Sequence, residues 1–266
     1  MPELPEVECV RQGILAECLG HTISKVWSRD TGLLLDADSL PLRQLKGERL
    51  DAVERRGKYL RWLTPKFQLL THLGMTGVWS SHGARAKHTR VELSFVSKTL
   101  RYTDPRQFGY LCLRPRAEAL PRWEQLGPDA LSRQFTAQGL FHTTRDSAVE
   151  VKVWLMEQKH VAGIGNIYAS EALFRAHVHP QRKVKTLSLQ ECQHIVQHAK
   201  AVMRLSLKHR GTTFSDYRLT NGKGGEFQGF LKVFQKTGEP CPTCAQPIQQ
   251  ITQGGRSTFF CAHCQK

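Results

Sequence analysis

The run Val91-Glu92-Leu93-Ser94-Phe95 alternates apolar and polar side chains with period two. That is the pattern of a β-strand with one buried face. Similar short runs surround it: Tyr59-Leu60-Arg61-Trp62-Leu63, Gln68 to Leu73, Leu100 to Tyr102 and Tyr110 to Leu113. Turn signals at Gly57, Gly74, Gly77, Gly83 and Asp104-Pro105 punctuate them. Short strands at this spacing predict an antiparallel β-sandwich or flattened barrel in the N-terminal half. One helix precedes it. Val7, Val10, Ile14, Leu15 and Cys18 fall on one helical face, Pro5 suits the first turn, Glu6 and Glu8 complement the dipole there, and Gly20 stops the helix.

The second half changes period. Residues 148–160 and 167–177 are expected to be helical. Ser188-Leu189-Gln190-Glu191 is a capping box, followed by an apolar stripe of Cys192, Ile195, Val196, Ala199, Val202 and Met203 that Gly211 ends. Residues 215–229 are Gly-rich and polar, the size of a functional loop. The fold class is therefore α+β. The expected domains are residues 1–128, a β-sandwich flanked by the N-terminal helix; 129–228, a helical DNA-binding domain read as a helix–two-turn–helix, with Gly165-Asn166 at a helix start, His179-Pro180 between helices and a loop at about 215–228; and 229–266, a β-hairpin zinc finger.

That last element rests on cysteine spacing. Cys241-Pro-Thr-Cys244 and Cys261-Ala-His-Cys264 stand sixteen residues apart, a zinc-ribbon arrangement. Four thiolates complete tetrahedral Zn²⁺ and leave no open position, so the expected ion is one structural zinc. His263 lies inside the second knuckle as a bystander. Cys9, Cys18, Cys112 and Cys192 sit singly among apolar neighbours and read as reduced, buried thiols.

Composition narrows the function. With 266 residues, 40% hydrophobic and 23% charged, the chain is no collagen-like or disordered sequence. No apolar run approaches the roughly 18 residues of a membrane helix. Glu3, Glu6 and Glu8 occupy the place of a signal peptide's basic region, so a cytoplasmic protein is expected. Lys and Arg exceed Asp and Glu by 38 to 23, a net charge of +15. Such an excess points to a polyanion partner, nucleic acid above all.

Several stretches suit chemistry on nucleic acid, each with an ordinary alternative. Removal of Met1 leaves Pro2 with a secondary α-amine that titrates near pH 8. Such an amine attacks a sugar C1′ or an aldehyde to give an iminium, and Glu3 beside it suits a general acid. The alternative is an acidic helix start. Lys58 follows a Gly turn and suits a phosphate; the alternative is a solvated lysine at a strand end. Gly74-Met75-Thr76-Gly77 places one apolar side chain on a tight turn, suited to wedging into a base stack. Arg106 and Phe108 share the loop 104–109 and suit filling a gap in a duplex. Gly163-Ile164-Gly165-Asn166 feeds a helix N-terminus, a place for an anion. Arg256 sits at a hairpin tip between the knuckles, in reach of phosphate.

Together these segments resemble the formamidopyrimidine-DNA glycosylase / endonuclease VIII family. They are PELPEVE at 2–8, RGKYL at 56–60, HLGMTG at 72–77, YTDPRQFG at 102–109, WLMEQKHVAGIGNIYASEALF at 154–174 and GRSTFFC at 255–261. The resemblance implies a monomeric DNA glycosylase and abasic-site lyase of base excision repair, acting on damaged duplex DNA. A base flipped out of the duplex would be excised through a Pro2 Schiff base, and β- then δ-elimination would cut the strand. Pro2, Glu3, Lys58 and Arg256 match catalytic positions. His88, Arg106, Asn166, Lys152, Met75 and Phe108 match DNA-binding or pocket positions, and Glu6 and Glu171 match carboxylates near the pocket. Met75 on its turn, the 104–109 loop and the long loop from Ser215 to Gly225 are features of the oxidised-purine branch, for 8-oxoguanine and formamidopyrimidines. The oxidised-pyrimidine branch is the alternative. A non-catalytic DNA-binding protein, which would lack the Pro-Glu terminus, is a third. The basic run that the family often shows before Lys152 is thin here, Arg145-Asp146-Ser147, so no phosphate contact is carried over to it.

Overall fold

The computed structural model describes residues 2–29, 35–214 and 217–266. Helix α1 (Leu4–Cys18) opens the chain. Eight strands follow: β1 (Lys25–Ser28), β2 (Ala52–Arg56), β3 (Tyr59–Leu63), β4 (Phe67–His72), β5 (Val78–Ser80), β6 (Thr89–Ser94), β7 (Thr99–Thr103) and β8 (Tyr110–Pro115). They form two antiparallel sheets, ordered β1-β6-β7-β5 and β2-β3-β4-β8. Next come helices α2 (Pro121–Glu124), α3 (Ala137–Thr144), α4 (Val151–Met156), α5 (Asn166–Arg175) and α6 (Leu189–Lys208). The hairpin β9 (Gln249–Gln253) and β10 (Arg256–Phe260) closes the chain.

The period-two reading holds because one face of each sheet is buried. Leu60, Trp62 and Leu69 from one sheet share a core with Trp79, Leu93 and Tyr102 from the other. Trp79 bridges the layers, its ring 5.0 Å from Trp62 and 5.1 Å from Tyr102. Val7, Val10 and Ile14 of α1 join the same core. Burying each such side chain stabilises by roughly 1.5–3 kcal/mol. β4 departs from alternation for a physical reason. It is a central strand buried on both faces, with Leu70 packing outward on Cys112 and Leu120.

Three strands escaped the sequence reading: β1, β2 and β5. Each buries at most one residue, so no apolar face stands out in the sequence. The helix expected over 148–160 is α4, much shorter. Gln158 ends it, donating to the carbonyls of Met156 (2.8 Å) and Ile164 (2.9 Å) and accepting from Gly163 N–H (2.8 Å). This crossed loop delivers Gly165 as the N-cap of α5. The Ser188 capping box is formed: Glu191 N–H donates to Ser188 Oγ at 3.2 Å, and Ser188 N–H donates to the Glu191 carboxylate at 2.8 Å.

By contacts the chain divides into two compact units, residues 1–125 with 207–228, and residues 126–206 with 229–266. This partition differs from the expected one. The loop read with the helices groups with the sandwich, because Thr212 and Thr220 hydrogen-bond there to Glu6, Glu17 and Ser81. Ser215 and Asp216 of that loop lie outside the described residues. No helix among the described residues is long and apolar enough to cross a membrane. Cys9, Cys18, Cys112 and Cys192 are buried free thiols, as expected. Burial pushes Cys9 and Cys18 up to about 12 and Cys192 to about 11, which keeps them unreactive.

Candidate active site and nucleic-acid interface

In the first unit, Glu3 is the N-cap of α1, with extended backbone. Glu6 accepts the Glu3 N–H at 2.9 Å through one carboxylate oxygen and the Thr212 N–H at 2.8 Å through the other. Pro2 is buried, and Glu3 is only 2% exposed. The stretch is an acidic helix start, as the ordinary alternative has it, with Glu3 and Glu6 forming a capping box; the burial of Pro2 and Glu3 goes beyond what such a start requires. α1 is fastened to β2 through Glu8, whose carboxylate receives Arg55 at 2.9 Å and Arg11 at 2.7 Å. Burial acts to raise the Glu8 pKa, but the two guanidiniums outweigh it and hold the carboxyl below its usual range. Arg55 also donates to the Gly57 carbonyl at 3.1 Å, bracing the β2–β3 turn.

Lys58 is the second residue of that two-residue turn, with Gly57 at φ 58°, rather than the first of a strand. It is 5% exposed, so it is no solvated strand-end lysine. Its charge is felt at His72. Burial first, then the positive charges of Lys58 and Arg122, push His72 down to about 4. His72 is therefore a neutral ring at pH 7. Its Nδ1 accepts the Gly74 N–H at 3.0 Å, which shapes the turn carrying Met75. Because the unfolded chain protonates this histidine near pH 6.5 and the folded one resists until about 4, His72 stabilises the fold fully above pH 6.5. That contribution is lost as pH falls from 6.5 towards 4. We expect His72→Gln to flatten the acid limb of a urea-midpoint profile between pH 7 and 4.5. Parallel profiles for variant and wild type would remove His72 from the linkage.

Met75 is 40% exposed and Phe108 54%, both outside the core. A buried carboxylate that sequence reasoning treated only as a turn residue holds the two loops together. Asp104 accepts the Thr76 hydroxyl at 2.5 Å and the Gly109 N–H at 2.8 Å. Gly74 permits the close approach, since a Cβ there would stand 2.4 Å from the Phe108 carbonyl. The Arg106 guanidinium lies 4.6 Å over the Phe108 ring. His88 adjoins this arrangement, its carbonyl accepting the Asp104 N–H at 3.0 Å.

In the second unit, Lys152 is wholly buried. Its ammonium donates to Asn166 Oδ1 at 2.5 Å and Thr258 Oγ1 at 2.7 Å. Asn166 Nδ2 donates to the Ser257 carbonyl at 2.9 Å. The lysine expected in a pocket thus ties α4 and α5 to strand β10, which Arg256 opens after the Gly254-Gly255 turn. Both glycines have positive φ, as a two-residue hairpin of this kind requires. Arg256 itself is exposed. Glu171, expected beside a pocket, is also wholly buried. Its carboxylate accepts the backbone N–H groups of Lys232, Val233 and Phe234 at 2.9–3.0 Å and pairs with Arg175, so it anchors the approach to the finger. Arg145, in the thin basic run, donates to the Leu187 carbonyl at 2.6 Å.

The Sγ atoms of Cys241, Cys244, Cys261 and Cys264 all lie within 4.8 Å of one another, with neighbours at 3.5 and 3.9 Å. Thiolates around a tetrahedral zinc stand about 3.8 Å apart. The donor set fits one structural zinc and is complete without water.

A β-sandwich unit with a buried Pro-Glu terminus, and a helical unit ending in a four-thiolate hairpin, define a helix–two-turn–helix protein with a zinc finger. The formamidopyrimidine-DNA glycosylase N-terminal domain model matches residues 1–111, its H2TH domain model residues 126–218, and the model of a zinc finger found in FPG and IleRS residues 238–266. The chain belongs to the formamidopyrimidine-DNA glycosylase family. It is 42% identical to a formamidopyrimidine-DNA glycosylase of Yersinia pseudotuberculosis over the whole of both chains. It is similar to the MutM (Fpg) protein of Thermus thermophilus, with TM-score 0.91 and 37% identity, covering 99% of this chain and 98% of that one. It is also similar to the Fpg (MutM) of Lactococcus lactis, at 31% identity over the whole of both chains. That protein has been solved with an oxidised-pyrimidine-containing DNA (TM-score 0.90) and with an N7-benzyl-Fapy-dG-containing DNA (TM-score 0.91).

Proposed function

We propose that this chain is a cytoplasmic, monomeric DNA glycosylase and abasic-site lyase that excises oxidised purines from duplex DNA. The observation that carries the reading is the burial of Pro2 and Glu3 at the head of α1, in a chain of this family. With Met1 removed, the Pro2 nitrogen attacks C1′ and the glycosidic bond breaks, its electrons leaving with the base. Glu3 donates a proton to the ring oxygen, the C1′–O4′ bond opens, and an iminium forms. Loss of a C2′ proton expels the 3′ phosphate, and a second elimination expels the 5′ phosphate. Lys58 supports these eliminations and holds a phosphate. Asn166 at the start of α5 and Arg256 at the hairpin tip hold the backbone, with His88 beside the 104–109 loop. Met75, Arg106 and Phe108 fill the gap that the flipped base leaves.

The Lactococcus lactis complex with an oxidised-pyrimidine-containing DNA favours a second reading, in which oxidised pyrimidines are also accepted. Duplexes carrying 8-oxoguanine and thymine glycol, incubated in parallel with borohydride, separate the two. Trapping on 8-oxoguanine with little on thymine glycol is the expected result. The reverse preference would overturn the purine assignment, and no adduct on either would overturn the lyase.

A further inference from the structure

Beyond Cys264 the chain runs into Gln265, a residue no motif singled out. Gln265 is only 2% exposed although it carries an amide. A buried amide is costly unless each of its polar atoms finds a partner. Both do. Its Oε1 accepts the Cys261 N–H at 2.9 Å, and its Nε2 donates to the Val178 carbonyl at 2.8 Å. The Gln265 N–H donates to the Cys261 carbonyl at 3.0 Å. One residue therefore binds both main-chain polar groups of a zinc-binding cysteine and ties them to a distant segment.

That segment, residues 177–182, follows α5. The helix closes with His177 N–H donating to Phe174 and Val178 N–H to Leu173, both at 3.1 Å, the double bond of a Schellman turn. The turn needs a left-handed residue, and His177 takes that place at φ 59° where glycine is usual. Its ring is used: Nδ1 hydrogen-bonds the Cys264 carbonyl at 3.1 Å. The main chain pairs as well, Lys266 N–H donating to the His177 carbonyl at 3.0 Å and His179 N–H to the Lys266 carbonyl at 2.9 Å. A second buried amide reaches the same segment from the hairpin, Gln253 Nε2 donating to the Pro180 carbonyl at 3.1 Å. The segment is itself fastened to α4, since Val151 N–H donates to the Arg182 carbonyl at 2.8 Å.

We infer that residues 177–182 are the socket of the zinc finger and that Gln265 is a positioning residue for the metal, setting how tightly zinc is held. A thiolate whose backbone is already fixed loses little freedom when the ion arrives, so the ordering cost of binding is reduced. Partners behind the ligands commonly tune metal affinity in this way. The inference goes beyond the glycosylase reading. Zinc affinity is measured without DNA, so failure of either leaves the other standing.

The test uses the full chain loaded with zinc, equilibrated at pH 7 against a chromophoric chelator of known affinity, with thermal melting of each protein. Gln265→Met keeps the length of the side chain and removes both of its hydrogen bonds. It is expected to weaken zinc binding by about 10–100-fold. Cobalt-substituted protein should keep the absorption bands of a tetrahedral four-thiolate site, because the ligands are unchanged. Thr144→Val is the control for stability alone. That hydroxyl donates to the Leu140 carbonyl at 2.9 Å within α3. Its loss should lower the melting temperature while zinc affinity stays within about twofold of wild type. Wild-type zinc affinity in Gln265→Met, or an equal loss of affinity in Thr144→Val for the same loss of melting temperature, would overturn the inference. Should Gln265→Met fail to fold, Gln265→Glu carries the comparison. It keeps the acceptor for the Cys261 N–H and removes the donor to Val178, and an unchanged affinity there overturns the inference as well.

Discussion

Protein that retains Met1 is expected to give no borohydride adduct, no base release and no strand cleavage, while still binding an abasic-site analogue. Retention turns the Pro2 nitrogen into an amide, whose lone pair is delocalised and no longer nucleophilic. The loss is total because no other group in the proposed mechanism forms the covalent bond. Glu3→Gln separates the steps. Without its acid, base excision should fall by about 10²–10⁴, the usual scale for general acid catalysis. Cleavage at pre-formed abasic sites should persist in part, since the ring-opened aldehyde already exists there. The measurement is trapping and nicking on both substrates, with the N-terminus verified by mass spectrometry. An adduct from intact Met1-bearing protein would assign the nucleophile to a lysine and sink the mechanism.

Loss of the metal should be nearly as severe. Cys244→Ser is expected to lose zinc and nicking together. Structural zinc contributes about 10–16 kcal/mol in finger peptides near neutral pH, so its loss removes a large part of what orders the 238–266 segment. The damage spreads within its unit. Lys152 is wholly buried and relies on Thr258 and Asn166, and Asn166 in turn relies on the Ser257 carbonyl. A disordered β10 takes the Thr258 hydroxyl and the Ser257 carbonyl away from that buried ammonium, a costly change. Arg256, on the same strand, loses the position from which it is proposed to hold phosphate. The check is metal content by mass spectrometry against nicking and duplex binding. Full nicking by a protein shown to be metal-free would overturn the structural assignment.

Much of this was open to inspection in the chain itself, wherever the physics is local. The alternation at 91–95 reports a half-buried strand because side chains on a strand alternate faces. The Cys241/Cys244 and Cys261/Cys264 pairs report zinc because two short knuckles supply four thiolates whatever surrounds them. Ser188 and Glu191 report a helix start because the box closes within four residues. Pro2-Glu3 was visible as a residue pair, although its burial was not.

Tertiary structure decided the rest, because the partners stand far apart in sequence. Lys152 meets Thr258 across 106 residues, and Glu171 meets the backbone of 232–234 about sixty residues on. No spacing announces either pair, so nothing in the sequence shows that Lys152 ties into β10 or that Glu171 accepts from the chain leading into the finger. Asp104 read as a turn residue, yet it joins the loops of Met75 and Phe108. The loop after α6 was assigned by chain order to the helical domain, but its hydrogen bonds go to α1 and β5. Chain order and local periodicity describe which elements form. Which buried charge meets which donor is set only when packing removes water and obliges each polar group to find a partner.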